Sequence, residues 1–178
     1  PTDIDMLEKF NVKYHKIGSD DAINIPLLKY VAKTKKNIIL STGMSTLEEI
    51  EQALDVLAYG YLNKATPQSF DDLINYRNSS EGSLLLKDKV QLLHCTTEYP
   101  APIKSINLRA MTTMNEAFGL PIGYSDHTKD FLASIIAVTN GATILEKHFT
   151  LNKKLKGGDH HLSLEPKEFF EYVTLIRR

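Results

Sequence analysis

The chain has 178 residues, a formal net charge of −1 and 42% hydrophobic residues, which is enough apolar material for the core of one domain. Near-neutral charge argues against a nucleic-acid or membrane-surface role, no apolar run approaches the 18 or so residues of a membrane span, and no secretory signal is visible. The single cysteine, Cys95, rules out an internal disulfide and fits a reducing cytoplasm.

In chain order, Asp5 to Phe10 reads as the tail of a helix, and VKYHKIG (12–18) as a short strand ending in a polar GSDD. A helix is expected over Ile23–Lys33, with Leu27, Leu28 and Val31 inward and Pro26 in its first turn. NIILSTG (37–43) is an apolar strand ending in small polar residues. Ser45 and Glu48 have capping-box spacing for a helix that buries Leu47, Ile50, Leu54 and Leu57. From about Gly60 to Lys89 the pattern weakens. One short helix around Phe70–Tyr76 and then a Ser/Gly-rich loop are expected, as an insertion on the outside of the fold.

VQLLHCTT (90–97) is the third strand. Pro100 and Pro102 enforce an extended loop after it, before a helix from Ile106 to Phe118. PIGYSDHT, DFLASIIAVTNGA and ILEKHFT then form strand, helix and strand. Asp130 is placed to cap the helix, Gly141 to end it in a left-handed turn, and Phe131, Leu132, Ile135, Ile136 and Val138 recur at helical spacing. A last amphipathic helix opens at Glu165-Pro166 and runs through Phe169, Phe170, Val173 and Ile176.

Five strands, each followed by a helix, with apolar non-alternating patterns and no hairpin signals, predict an α/β protein with a parallel sheet. A doubly wound sheet and part of a (β/α)8 barrel both satisfy this pattern. Either fold binds ligands at the C-terminal strand ends, and there the sequence places its polar clusters. No glycine-rich phosphate fingerprint or P-loop is present, which weakens the dinucleotide option.

In the strand–helix–strand unit the two strands should be parallel neighbours about 4.8 Å apart. Alternation puts Ser125 with His127 on one face, and Glu146 with His148. Either histidine alone reads as a hydrogen-bonded structural residue; two at matching strand ends could hold one metal ion. Lys16, Ser19, Ser41, Thr97 and Ser125 supply an ammonium and four hydroxyls for an anion, most naturally phosphate, although each hydroxyl singly also reads as a helix cap. Asp21, Glu98, Glu146 and Asp159 add carboxylates for sugar hydroxyls or proton transfer, and Tyr99 a flat face and a phenol. KGGDHHLSL reads as a mobile loop in which His160 and His161 are hydrogen-bonders rather than ligands.

KIGS, LSTGM, HCT-x-x-YP, GYSDHT, LEKHFTL and GxDHxxSLEP occur here in an order that closely resembles the sialic acid synthase family, which includes N-acetylneuraminate, legionaminate and related nonulosonate synthases. The resemblance covers the chain outside 60–89. It implies a (β/α)8 barrel of which residues 1–178 are the C-terminal five-strand portion, with three strands before Pro1 and an antifreeze-like domain after Arg178. It implies a cytoplasmic homodimer in the full-length enzyme, and a 178-residue piece inactive by itself.

The implied reaction is condensation of phosphoenolpyruvate with an N-acylated hexosamine aldehyde such as N-acetylmannosamine, giving a nonulosonic acid and phosphate. The implied cofactor is Mn²⁺ or Mg²⁺, with Co²⁺ as a further candidate. By the same resemblance His127 and His148 match metal ligands, and Lys16, Ser19, Ser41 and Ser125 match phosphoenolpyruvate contacts. Thr97 stands where many members carry asparagine or serine. Asp21, Tyr99, Glu146 and Asp159 match positions that bind the amino sugar or order the site, and Asp21 replaces a glutamate of some members. A metal-dependent barrel aldolase or epimerase acting on a sugar phosphate, and a non-catalytic ligand-binding fragment, are the alternatives.

Overall fold

The computed structural model describes residues 2–62 and 67–178. The chain divides into two compact units, Pro1–Leu92 with Phe118–Leu120, and Leu93–Ala117 with Pro121–Arg178. The strand order is β1 (Tyr14–Ile17), β2 (Asn37–Ser41), β3 (Val90–Cys95), β4 (Ile122–Asp126), β5 (Leu145–Lys147), each strand lying beside its neighbours in sequence. A doubly wound sheet reverses direction at a switch point, whereas a (β/α) barrel adds strands sequentially. The observed order therefore decides for the barrel class. β1 pairs with β2 and β4 with β5, both parallel.

In the first unit α1 (Thr2–Lys9) precedes β1. A short 3-10 turn at Ser19–Asp21 follows β1, and α2 (Ile25–Lys33) starts two residues later than the sequence suggests, because the Asn24 side chain accepts from Leu27 N and Pro26 fills the first turn. α2 buries Leu28, Val31 and Ala32. α3 (Leu47–Leu62) is capped one position on from the expected Ser45–Glu48 box. Thr46 Oγ1 accepts from Glu49 N at 3.2 Å, and Glu49 Oε2 accepts from Thr46 N at 2.8 Å. Ile50, Leu54 and Leu57 are buried, while Leu47 is exposed. At Gly60 a Cβ would lie 2.6 Å from the Ala32 Cβ, so α3 meets α2 at a spacing only glycine allows.

Of the expected insertion, residues 63–66 lie outside the described residues. Beyond them stand two helices, α4 (Phe70–Asn78) and α5 (Ser80–Lys89), and the second occupies the stretch expected to be a Ser/Gly-rich loop. Ser69 and Asp72 form a capping box, and Ser79 caps α5 through Gly82 N at 3.0 Å. Gly82 is there for contact rather than flexibility, since a Cβ would fall 2.0 Å from the Tyr76 carbonyl oxygen. α4 and α5 both pack on α3, and α3 is consequently buried continuously from Ala53 to Tyr61, including Asp55. Arg77 of α4 answers that burial by pairing with Asp55 at 2.5 Å and Glu51 at 2.6 Å.

In the second unit a 3-10 turn at Ile103–Ser105 leads to α6 (Ala110–Phe118), which starts four residues after the expected Ile106. All five residues of β4 are buried, as expected of a parallel strand covered on both faces. Gly123 within it sits where a Cβ would meet the Ile144 carbonyl and Leu93, each at 2.5 Å. α7 (Leu132–Thr139) receives a cap from Asp130, which accepts from Leu132 N at 3.0 Å, and Gly141 follows it at φ 90°. Its buried face is Ala133, Ser134 and Ala137, with the larger Leu132, Ile135, Ile136 and Val138 outward. α8 (Pro166–Ile176) also departs from the expected stripe. Tyr172 is its buried residue, and Phe170 is 72% exposed. Among the described residues no helix is long and apolar enough to cross a membrane.

Candidate functional site

Each polar cluster follows the C-terminal end of its strand. In the first unit Lys16, on β1, donates to Ser41 Oγ at the end of β2 over 2.8 Å, and to the Ile17 carbonyl over 3.1 Å. Ser41 is buried and Ser19 half-buried. Asp21 accepts from the Asn24 amide at 2.9 Å, so its carboxylate is tied to the loop that starts α2. Lys16 and Ser41 thus lie in the C-terminal halves of β1 and β2, and Ser19 and Asp21 on the turn that follows β1. An ammonium beside a hydroxyl can hold an anion, because charge-assisted N–H···O contacts are the stronger ones.

In the second unit, Ser125 is in register with Glu146, so His127 and His148 each stand one residue beyond their strand ends at the same height. The imidazole centroids are 5.3 Å apart, with the rings edge-on at 74°. Ser125 Oγ donates to Glu146 Oε1 at 2.7 Å and lies 3.2 Å from His127 Nε2. The other ring nitrogen, His127 Nδ1, faces the Thr96 carbonyl at 2.7 Å. A carbonyl can only accept, so Nδ1 carries the proton and Nε2 the lone pair. Burial holds the His127 pKa below the ordinary histidine range; the Thr96 carbonyl opposes this shift and His148 adds to it. The result is a buried, neutral imidazole of defined tautomer.

Tyr99 completes a ring cluster, with its centroid 4.3 Å from that of His127 and 5.7 Å from that of His148. Asp159 Oδ2 is 3.8 Å from His148 Nδ1, longer than a hydrogen bond. Thr97 is exposed on the loop after β3. In the KGGDHHLSL loop His160 Nδ1 meets Thr150 Oγ1 at 2.7 Å and His161 Nδ1 meets the Gly158 carbonyl at 2.9 Å. Both are engaged within the loop and its flank.

Several residues here escaped the reading of the motifs. The Thr96 carbonyl, which fixes the His127 tautomer, has no side-chain signature. Asp126 and Lys147, each the residue before a histidine, form an ion pair of 3.2 Å with side chains 0% and 1% exposed. Strand alternation carried the signal, because residues flanking a site residue must face the opposite way.

A cation needs donor atoms with free lone pairs, and His127 Nε2 together with the His148 imidazole meets that requirement at one height. Among the described residues no group of three or more His, Cys, Asp or Glu side chains is placed to hold a metal. The donor set of this unit is therefore two imidazoles, which fits a cation that keeps water or substrate oxygens in its other positions.

A family model described as the NeuB family matches residues 1–178. The chain belongs to the NeuB family. The N,N'-diacetyllegionaminic acid synthase of Campylobacter jejuni is 43% identical over 175 residues, which are 98% of this chain and 46% of that protein. The solved N-acetylneuraminic acid (sialic acid) synthetase of Leptospira borgpetersenii superposes with a TM-score of 0.79 at 34% identity, over 98% of this chain and 52% of its own. A truncated 3-deoxy-D-arabino-heptulosonate 7-phosphate synthase of Thermotoga maritima shares the fold, with a TM-score of 0.64 at 19% identity over 93% of this chain and 57% of that one. The chain spans about half the length of the curated relatives it matches.

Proposed function

We propose that the chain carries the five-strand part of a nonulosonic acid synthase that condenses phosphoenolpyruvate with an N-acylated hexosamine aldehyde. The paired histidines at the tips of β4 and β5, with one tautomer fixed by a backbone carbonyl, are the observation that carries this reading. Membership of the NeuB family, whose relatives include legionaminic and N-acetylneuraminic acid synthases, narrows it from metal-assisted chemistry in general to this condensation.

The bookkeeping of the reaction is simple. C3 of phosphoenolpyruvate forms a bond to the aldehyde carbon, water adds at C2, and C–O cleavage releases inorganic phosphate. His127 Nε2 and His148 would hold a divalent cation, Mn²⁺ or Mg²⁺. When bound, that cation supplies Lewis-acid polarisation of the aldehyde oxygen. Ser125 holds the Glu146 carboxylate in place, and Glu146 and Tyr99 position the sugar. Asp21 and Asp159 order the loops that receive it. Lys16, with Ser41 and Ser19, takes the phosphate side by charge and hydrogen bonding. Thr97 and Ser125 complete the hydroxyl set.

The experiment is a phosphate-release assay on the whole protein with phosphoenolpyruvate, Mn²⁺ and N-acetylmannosamine or its 2,4-diacetamido analogues, with the product identified by mass spectrometry. Stoichiometric phosphate and a nine-carbon keto acid are expected. Turnover of a sugar phosphate without consumption of phosphoenolpyruvate would replace this reading with an aldolase or epimerase.

A further inference from the structure

We propose that the buried Asp126–Lys147 pair is a positioning device that sets the spacing of His127 and His148 for cation binding. The inference rests on the two-histidine reading of the site and adds to it a pair of residues that never touch the ligand.

The pair sits back to back with the histidines. Asp126 is the last residue of β4 and Lys147 the last of β5, they are partners in the strand register, and the next residue of each strand is a histidine. Because side chains alternate, the ion pair occupies the face opposite the imidazoles. Every polar atom of the pair is engaged. Asp126 Oδ1 accepts from Thr128 N at 2.8 Å, and Asp126 Oδ2 accepts from Ser134 Oγ at 2.6 Å, which in turn receives the Tyr172 hydroxyl at 3.1 Å. Lys147 Nζ spends its three donors on Asp126, on the Thr128 carbonyl at 2.5 Å and on the Asp130 carbonyl at 3.1 Å.

Two consequences follow from those contacts. Thr128, the residue directly after His127, is gripped at its N–H by Asp126 and at its carbonyl by Lys147, so the backbone that leaves His127 is fixed at two successive points by the pair. Moreover, the lysine belongs to the strand that carries His148, so the grip on the His127 loop is made by the other histidine's own strand. The two imidazoles are thereby referenced to each other rather than separately to the core. A merely structural role accounts for this poorly, since replacing a fully buried ion pair by apolar residues of similar volume is often neutral or stabilising. A pair whose hydrogen bonds run to the backbone around one ligand from the strand of the other is suited to setting geometry.

The test compares the wild type with Asp126→Asn/Lys147→Met in the whole protein. This double change keeps an oxygen for Thr128 N, leaves no unpaired charge and removes the grip on the Thr128 and Asp130 carbonyls. Free Mn²⁺ is counted by electron paramagnetic resonance to give the affinity, and the urea midpoint is measured on the same samples. Loss of residues that orient metal ligands typically weakens metal binding about 10–100-fold. A loss of that size with the urea midpoint held is expected. Unchanged affinity, or a loss seen only where the midpoint collapses with it, overturns the inference. If the double variant does not fold, Ser134→Ala is measured instead. It removes one donor to Asp126 and leaves the pair; weaker Mn²⁺ binding at an unchanged midpoint is expected, and wild-type binding overturns the proposal. His127→Ala separates the two levels of the argument. If it abolishes Mn²⁺ binding while the pair variants keep it, the positioning role alone fails. If it binds as the wild type does, the two-histidine reading fails first.

Discussion

Burial holds both His94 and His127 below the ordinary histidine range. For His94 the opposing influence is its hydrogen bond to the Ile106 carbonyl, 2.6 Å from Nε2. The sign of the pH effect follows directly. In the unfolded chain a histidine takes up its proton near pH 6.5, whereas in the folded chain these rings resist protonation to lower pH, so between the two values the unfolded state binds more protons. Stability is therefore complete above about pH 6.5 and is lost as pH falls through the folded values. His94 packs against Tyr124 with ring centroids 5.8 Å apart, and glutamine at 94 keeps a donor for the carbonyl without a titrating ring. Urea unfolding from pH 7.5 down to 5 should show a shallower acid decline for His94→Gln than for the wild type. Parallel declines would mean that His94 is protonated at its ordinary value in the folded protein.

Among the elements, the start of α3 gives a sharp contrast between neighbouring hydroxyls. Ser45–Glu48 and Thr46–Glu49 have the same capping-box spacing in the sequence, but it is Thr46 and Glu49 that make the bonds. Thr46→Ala should lower stability by about 1 kcal/mol, the usual value of an N-cap side chain, while Ser45→Ala should leave the urea midpoint nearly unchanged. Equal effects would place the helix start one residue earlier. The same region shows what the sequence made legible. Strands announced themselves because their apolar runs are short and end in polar clusters, and the strand–helix–strand pattern put His127 and His148 at matching strand ends. Less was legible where tertiary contact overrides local pattern. The SSEGS stretch reads as a loop by composition, yet Ser79 caps a helix there and Gly82 fits under Tyr76. In α8 the expected stripe includes Phe170, yet the helix turns Tyr172 inward, where its hydroxyl reaches Ser134. Asp126 and Lys147 stood inside recognisable motifs, but their pairing needed the register between β4 and β5, which no single stretch of sequence contains.

For the molecule as a whole, Lys16 and Ser41, assigned to phosphate, and His127 and His148, assigned to the cation, belong to different compact units. Lys16 and Ser41 are fixed by a hydrogen bond inside the first unit. His127, Ser125 and Glu146 are fixed by hydrogen bonds inside the second. Phosphate binding calls on a cation and hydroxyls, whereas cation binding calls on lone-pair donors, so the two binding functions should separate by mutation. A hydrogen bond to a charged group contributes roughly 1.5–3 kcal/mol, so Lys16→Ala in the whole protein should raise the Michaelis constant for phosphoenolpyruvate by roughly ten- to a hundredfold. It should leave the Mn²⁺ affinity, read by calorimetry in the absence of substrate, where it was. His148→Ala should do the opposite, weakening Mn²⁺ while phosphoenolpyruvate, titrated without metal, binds as before. For Lys16→Ala the hexosamine Michaelis constant serves as the internal control, since Lys16 is not assigned to the sugar. A Lys16→Ala variant that loses Mn²⁺ as strongly as His148→Ala would make the two clusters a single cooperative site. One that raises the hexosamine constant above that of phosphoenolpyruvate would move the ammonium to the sugar side.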